Sequence, residues 1–290
     1  MKPSADHMFG PASRSPRVII GAFIVVAIGL AALLAPELAP HDPAEQDILN
    51  ALVPPMWAEG GMTKFPFGTD SLGRCILSQM IYGARVALIV GVLAATFAMF
   101  IGSTLALVAG YFGGWTDRVI GYLVDLLMSV PPVVLSLTLM VGLGTGIGNI
   151  VLAIVLVDWT RFCRVVRSDV LVVRRKEYVS AAGLLGFGHL RIIIFEILPS
   201  VAPLIVTLFA IQVGIGVVVE AILSFVGLSV PANVPAWGKI IADARSYLHQ
   251  APWGIALPML AIFVTVFGFN LLGEGLRTTL DPRLRRRMAS

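Results

Sequence analysis

The stretch Glu177-Tyr-Val-Ser-Ala-Ala-Gly-Leu-Leu-Gly186 interrupts a chain that is otherwise strongly apolar. It continues to Glu196-Ile-Leu-Pro199, and apolar runs long enough to cross a bilayer lie on both sides of it. One helix face at i, i+3, i+4, i+7 spacing collects Tyr178, Ala181, Ala182 and Leu185. Gly186 and Gly188 then end the pattern. The sequence therefore predicts a short helix with a small apolar face between two membrane spans.

Composition shows that most of this chain lies in lipid. Of the 290 residues, 57% are hydrophobic and only 13% are charged, against roughly a quarter charged in a soluble domain. The apolar runs lack the strict alternation that a membrane β-barrel requires. Because every backbone amide in hydrocarbon needs a partner within the chain, these runs predict helices. The expected fold class is all-α, a polytopic membrane protein.

Six membrane spans are predicted, with both termini in the cytoplasm. The spans are Val18–Ala35, Val86–Val108, Val119–Leu143, Ile147–Val166, Ile197–Val219 and Gly254–Leu272. In this topology the outer segments hold a minority of the 21 lysines and arginines, namely Lys64, Arg74, Arg85, Lys239 and Arg245. That asymmetry orients the chain by the positive-inside rule. Charged residues in the second half of the fourth span indicate that it leaves the bilayer early or faces protein there.

The chain divides into three parts by this topology. Residues 1–84 form a cytoplasmic tail, the first span and an outer loop, and residues 277–290 form a basic cytoplasmic tail. Residues 85–276 form the core, whose longest inner loop covers about 168–196. The first span is also compatible with a cleavable signal peptide, although its apolar run exceeds the usual length of a signal core.

The inner loop has two open interpretations. Its small helix docks a partner, with Glu177 and the cations of 174–176 fixing orientation, or it lies as an amphipathic helix on the inner leaflet. Elsewhere, prolines mark bends or static kinks, at Pro131-Pro132, Pro203 and Pro258. The two outer segments, 36–85 and 224–252, receive a partner or cap the helix bundle.

Polar side chains within the spans are candidate pathway or gate residues, because burying them in lipid is costly. They are Asp125, Asp158, Gln212, Glu220, Asn270 and Glu274. The formal net charge of +4 is explained by topology and contact with anionic lipid, so no nucleic-acid partner is expected. The chain lacks a Gly-x-x-x-x-Gly-Lys-Ser/Thr phosphate loop, and its four histidines are scattered. Neither ATP hydrolysis nor a metal site is expected in this chain.

The inner loop resembles the coupling loop of permease subunits of binding-protein-dependent ABC importers. Ala181 and Ala182 precede Gly186 at that family's spacing, and Ile197-Leu-Pro199 closes the motif. Ser180 stands where the pattern has Glu, and Glu196 displaces the isoleucine by one place.

Further segments resemble the dipeptide, oligopeptide and nickel branch of that family, in its C-type subunit. They are Phe67–Arg74 with Ile81–Arg85, Glu220–Leu228 with Pro235–Gly238, Asn270–Arg277 and Leu280–Leu284. Together they extend over most of the chain. Cys75 departs from the pattern, where Asp is expected.

The resemblance implies a type I permease fold in a bacterial inner membrane and a role in peptide uptake. The implied partners are a second permease subunit, two ATPases that bind ATP and Mg, and an extracytoplasmic binding protein. The implied ATPase-coupling residues are Glu177, Tyr178, Ala181, Ala182, Gly183 and Gly186. Nickel or another small solute is the alternative cargo, and an ion-coupled secondary transporter is the alternative from another class.

Overall fold

The computed structural model describes residues 15–231 and 233–280. Helices make up most of that part of the chain, and its β-structure is limited to an isolated bridge between Thr69 and Cys75. The all-α fold class is therefore confirmed. In chain order, the helices are α1 (Pro16–Leu33), α2 (Ala35–Leu38), α3 (Ile76–Phe112), α4 (Gly114–Met128), α5 (Pro132–Leu143), α6 (Ile147–Val173), α7 (Glu177–Leu184), α8 (His189–Ile192), α9 (Leu198–Val226), α10 (Trp237–Ala244) and α11 (Trp253–Leu280). The predicted tails fall largely outside the described residues.

Four helices in the described part of the chain are long and apolar enough to cross a membrane. They are α1, α3, the run from α8 through α9, and α11. The pair α4 and α5 makes a fifth if it is counted as one bent span. α6 has 27 residues but carries Asp158, Arg161 and Arg164, which place it outside this set. The count of six spans and the position of the termini stay predictions.

Several helices extend beyond the predicted spans. α3 begins at Ile76, inside the segment predicted as the outer loop, and α9 continues past Val219 to Val226. The added turns of α3 include Ser78 and Gln79, and those of α9 include Glu220 and Ser224. Hydropathy marks the apolar part of each helix and therefore misses these ends.

The third predicted span, Val119–Leu143, is broken. The axes of α4 and α5 differ by 84°, and Pro131 and Pro132 stand where α5 begins. Since proline has no N–H and restricts the residue before it, the pair ends one helix and starts another. The chain is therefore kinked at this pair, and a role as a moving bend stays a prediction. At Pro203 and Pro258, in contrast, α9 and α11 continue through the proline.

Glycines allow the central helices to approach backbone to backbone. A Cβ on Gly102 of α3 would lie 2.4 Å from the carbonyl oxygen of Trp159 in α6. A Cβ on Gly216 of α9 would lie 3.0 Å from the Cα of Gly91 in α3. Close packing of small residues is a main source of helix association in membranes. α3 is therefore held tightly between α6 and α9.

Hydrogen bonds of Thr69 hold together the segment before α3, which is predicted to lie on the outer side. Its hydroxyl donates to the carbonyl oxygen of Asn50 at 2.6 Å and accepts from the N–H of Val53 at 2.8 Å. Its carbonyl oxygen accepts from the indole of Trp253, the first residue of α11, at 3.4 Å. The segment thus folds as a cap over the helix ends.

Charged side chains join this cap to α10. The carboxylate of Asp70 accepts from Arg74 Nε at 2.7 Å and from Gln79 Nε2 at 3.0 Å. Arg74 also donates to Asp243 of α10 at 3.2 Å. Two outer segments distant in sequence thus form one cap, which favours the capping interpretation of both.

Candidate coupling surface and membrane cleft

The short helix predicted in the inner loop is present as α7, and Gly186 ends it. Gly186 has a φ of 79°, in the left-handed region that commonly terminates helices. Its N–H donates to the carbonyl of Gly183 at 3.0 Å, and the N–H of Phe187 donates to the carbonyl of Ala182 at 3.2 Å. A glycine is suited to this position because it has no Cβ to oppose positive φ.

The face of α7 that packs against the protein differs from the predicted apolar face. Of the predicted members, Ala182 is buried, whereas Tyr178, Ala181 and Leu185 are exposed. Val179, three residues before Ala182, supplies the second buried position. Most of the predicted face is thus left exposed, because Val179 and Ala182 turn a neighbouring side of α7 to the core, and its docking role stays a prediction.

Exposed apolar side chains cluster at α7 and α8. Leu184 is 91% exposed, and Leu185 and Leu190 are each 74% exposed. A single exposed leucine is ordinary, but several in one short unit indicate an interaction surface. These three leucines with Ala181 are called the coupling surface below. Glu177 and Gly183 are exposed beside them.

The coupling surface is tied to two long helices. The hydroxyl of Tyr178 in α7 is hydrogen-bonded to the hydroxyl of Ser200 in α9 at 2.8 Å. The hydroxyl of Tyr111 in α3 is hydrogen-bonded to Nδ1 of His189 in α8 at 2.8 Å. α7 and α8 are therefore each joined by a hydrogen bond to a long helix, α9 and α3 respectively.

Two arginines near the C-terminal end of α6 form direct ion pairs with α4. Arg167 binds both carboxylate oxygens of Asp117, and Arg164 binds Asp125. Asp125 and Arg164 are exposed. Asp125, a predicted pathway residue, thus lies at the surface in an ion pair.

A cleft of about 280 Å³ lies between α5, α6, α9 and α11. Its walls are mostly aliphatic, and its polar lining residues are Asp158, Arg161 and Asn270. Asp158 is 5% exposed, whereas Asn270 is exposed. The structure therefore brings two predicted pathway residues together at one cleft, and Glu274 is not part of it.

Gln212 of α9 bridges the two charged residues of the cleft. Its amide nitrogen donates to the Asp158 carboxylate, and its amide oxygen accepts from Arg161 Nη1 at 3.3 Å. Gln212 is itself buried. Asp158 and Arg161 are three residues apart on α6, so they share one helix face. A neutral amide thus separates two opposite charges inside a cleft.

Comparison with known proteins identifies the family. Residues 102–286 match the family described as "Binding-protein-dependent transport system inner membrane component". Residues 13–55 match the "N-terminal TM domain of oligopeptide transport permease C". This chain belongs to the binding-protein-dependent transport permeases. The permease is thus a multi-pass inner-membrane component of an ABC importer, as its sequence motifs predicted.

Relatives of the permease extend over nearly its whole length. The dipeptide transport system permease protein of Alkalihalophilus pseudofirmus is 37% identical over 96% of this chain and 89% of its own. The di/tripeptide permease protein of Pseudomonas aeruginosa is 38% identical over 91% and 88%. The oligopeptide permease protein of Bacillus subtilis is 35% identical over 92% and 86%.

Glu220 lies apart from the cleft of the permease. It is fully buried in α9, where Oε1 accepts from the hydroxyls of Ser224 at 2.6 Å and Ser229 at 3.0 Å. The Ser229 carbonyl in turn accepts from the N–H of Gly146 at 2.8 Å, just before α6. Glu220 therefore fixes the junction after α9, and its gate role stays a prediction.

Sequence reasoning about the permease missed Arg161 as a site residue. Its charge was noted as an interruption of a span, whereas the structure places it in the cleft. The available signal was its spacing of three from Asp158, which puts both on one helix face. Leu184 was also missed, because exposure of an apolar residue is not visible in sequence. Within the described residues, no group of three or more metal-ligating side chains occurs.

Proposed function

We propose that this permease takes up dipeptides or short oligopeptides as one of two membrane subunits in an ATP-driven importer. The observation that carries the peptide assignment is similarity over nearly the whole chain to relatives named for dipeptide, di/tripeptide and oligopeptide transport. A further relative, from Pectobacterium atrosepticum, is named for glutathione, itself a tripeptide.

Coupling to ATP hydrolysis takes place at the coupling surface. Two separate ATPase subunits bind ATP and Mg, and each pairs with one permease subunit. On this chain, Ala181, Leu184 and Leu185 enter a groove of the ATPase, and Glu177 and Gly183 lie at its edge. Ala182 is buried, and its contacts with the core hold α7 in position. Gly186 acts by ending the helix.

Movement of the ATPases is transmitted to the membrane helices through the hydrogen bonds of α7 and α8. Tyr178 of α7 is hydrogen-bonded to Ser200 of α9, so a shift of α7 displaces α9. His189 of α8 is hydrogen-bonded to Tyr111 of α3, so a shift of α8 displaces α3. Two arrangements of these packed helices give inward and outward openings. Cargo passes between the two permease subunits after an extracytoplasmic binding protein delivers it to the outer cap.

Reconstitution tests this function directly. The permease, its second permease subunit, both ATPases and the binding protein are placed in lipid vesicles, and uptake of radiolabelled alanyl-alanine is measured. We expect uptake that requires both ATP and the binding protein. Uptake driven by an ion gradient without ATP would contradict the ATP-driven mechanism. The peptide assignment would be contradicted if the binding protein stimulated ATP hydrolysis and the vesicles took up nickel or another solute but no peptide.

A further inference from the structure

We propose that the cleft between α5, α6, α9 and α11 binds short peptides by their two charged ends during transport. Arg161 holds the α-carboxylate and Asp158 holds the α-ammonium group. The cleft would then contribute its own preference for a small zwitterion after release from the binding protein. This inference rests on the proposed peptide function and deepens it.

Three neighbouring arginines of α6 differ in their partners. Arg161, Arg164 and Arg167 recur at every third residue, and the latter two form direct ion pairs with carboxylates of α4. Among the described residues, Arg161 has no carboxylate within ion-pair distance. It is the arginine of this series that faces the cleft.

Gln212 lies between Asp158 and Arg161 and keeps them from forming a direct ion pair. A direct ion pair between Asp158 and Arg161 would neutralise both charges and leave few of their hydrogen-bonding atoms for a ligand. Gln212 instead takes one hydrogen bond from Arg161 and gives one to Asp158. A guanidinium has five N–H donors in a planar fork, which suits two-point binding of a carboxylate. Within the described residues, Arg161 donates one hydrogen bond, so this capacity is largely unused.

The size of the cleft agrees with a short peptide. Side chains three residues apart on a helix have Cβ atoms about 5–6 Å apart. Two residues of extended chain span at most about 7 Å, so a dipeptide is short enough to reach both side chains from within the cleft. The remaining walls include Val218, Ile222 and Val266, which offer apolar contact without selecting particular side chains.

The charges of Asp158 and Arg161 lie within the helix bundle and line the cleft. Ionisable groups within a membrane-embedded bundle are costly and are kept mostly where they have a function. A structural role would be served by buried, mutually bonded groups. Asp158 is buried and hydrogen-bonded to Gln212, whereas Arg161 is partly exposed, and both residues line the cleft. The pair is therefore available to a ligand that enters between the permease subunits.

Substitution in the complete reconstituted importer tests the proposal, with alanyl-alanine as cargo at saturating binding protein. Arg161→Gln is expected to lower the maximal uptake rate about tenfold, because charge-assisted hydrogen bonds to the carboxylate are lost. Stimulated ATP hydrolysis in the same vesicles should stay within about twofold of wild type, because the coupling surface is unchanged. Arg161→Lys should recover part of the uptake. Asp158→Asn, which keeps the bond to Gln212, should lower uptake as Arg161→Gln does.

Arg164→Gln is the matched control, since it removes a charge one turn away outside the cleft, and its uptake should stay near that of wild type. Wild-type uptake by Arg161→Gln would overturn the inference and leave the peptide function intact. Parallel loss of assembly, ATP hydrolysis and uptake in Arg161→Gln and Arg161→Lys would show a structural role and also overturn it. Absence of uptake in the wild-type importer would overturn the peptide function, and the inference with it.

Discussion

Leu184→Ala on the coupling surface should weaken binding of the ATPase subunits while leaving the permease folded. Leu184 is 91% exposed, so its side chain contributes little to the fold of the isolated chain. If the ATPase buries it, the substitution removes three carbons at about 0.8 kcal/mol each, or about 2.4 kcal/mol in total. That loss corresponds to about a 50-fold weaker association. The free energy of unfolding should change by less than about 0.5 kcal/mol, as for other surface substitutions.

The assay is titration of purified ATPase subunits onto the permease pair in lipid nanodiscs. Leu49→Ala is the matched control, because Leu49 is 97% exposed and lies in the outer cap segment. It should bind the ATPases as wild type does. Equal affinities for wild type and Leu184→Ala would refute the reasoning, since Leu184 would then lie outside the ATPase contact.

Three further predictions concern glycines and the buried glutamate. Gly186→Ala should lower ATP-driven uptake severalfold, because an L-residue in the left-handed region costs about 1–2 kcal/mol. The control is Gly188→Ala, which should leave uptake unchanged because Gly188 has a φ of −65°. Equal effects of the two substitutions would contradict the role of the left-handed backbone at Gly186. Gly102→Ala should lower the thermal midpoint of the purified complex through overpacking of about 1–3 kcal/mol, whereas Gly121→Ala, whose Cβ meets nothing within 4 Å, should not. Glu220→Ala should lower the same midpoint, because two buried serine hydroxyls lose their acceptor at about 1–3 kcal/mol in all, and an unchanged midpoint would count against that structural role.

The sequence was sufficient for those features that depend on chain polarity and local stereochemistry. Long apolar runs predicted helices, and the pair Pro131-Pro132 predicted a bend where the structure has one. The short helix α7 and its end at Gly186 followed from side-chain spacing and from the freedom of glycine.

Features that depend on contacts between distant segments were not accessible. The rotation of α7 is set by the core that receives Val179 and Ala182, and no local pattern contains that information. Likewise, the sequence indicated Asp158 and Gln212 as separate candidates. Their hydrogen bond forms because α6 and α9 pack side by side, which the sequence does not reveal. Asp125 shared the same polarity signal, but the fold pairs it with Arg164 at the surface.

The outer cap restricts how this permease can be recombined with its relatives. Arg74 and Asp243 stand 169 residues apart in the chain, yet their side chains are joined, and Thr69 is joined to Trp253 in the same region. A chimera that exchanges only the first outer segment would place mismatched side chains against α10 and α11. The two outer segments therefore form a single unit of exchange, and a functional graft has to carry both.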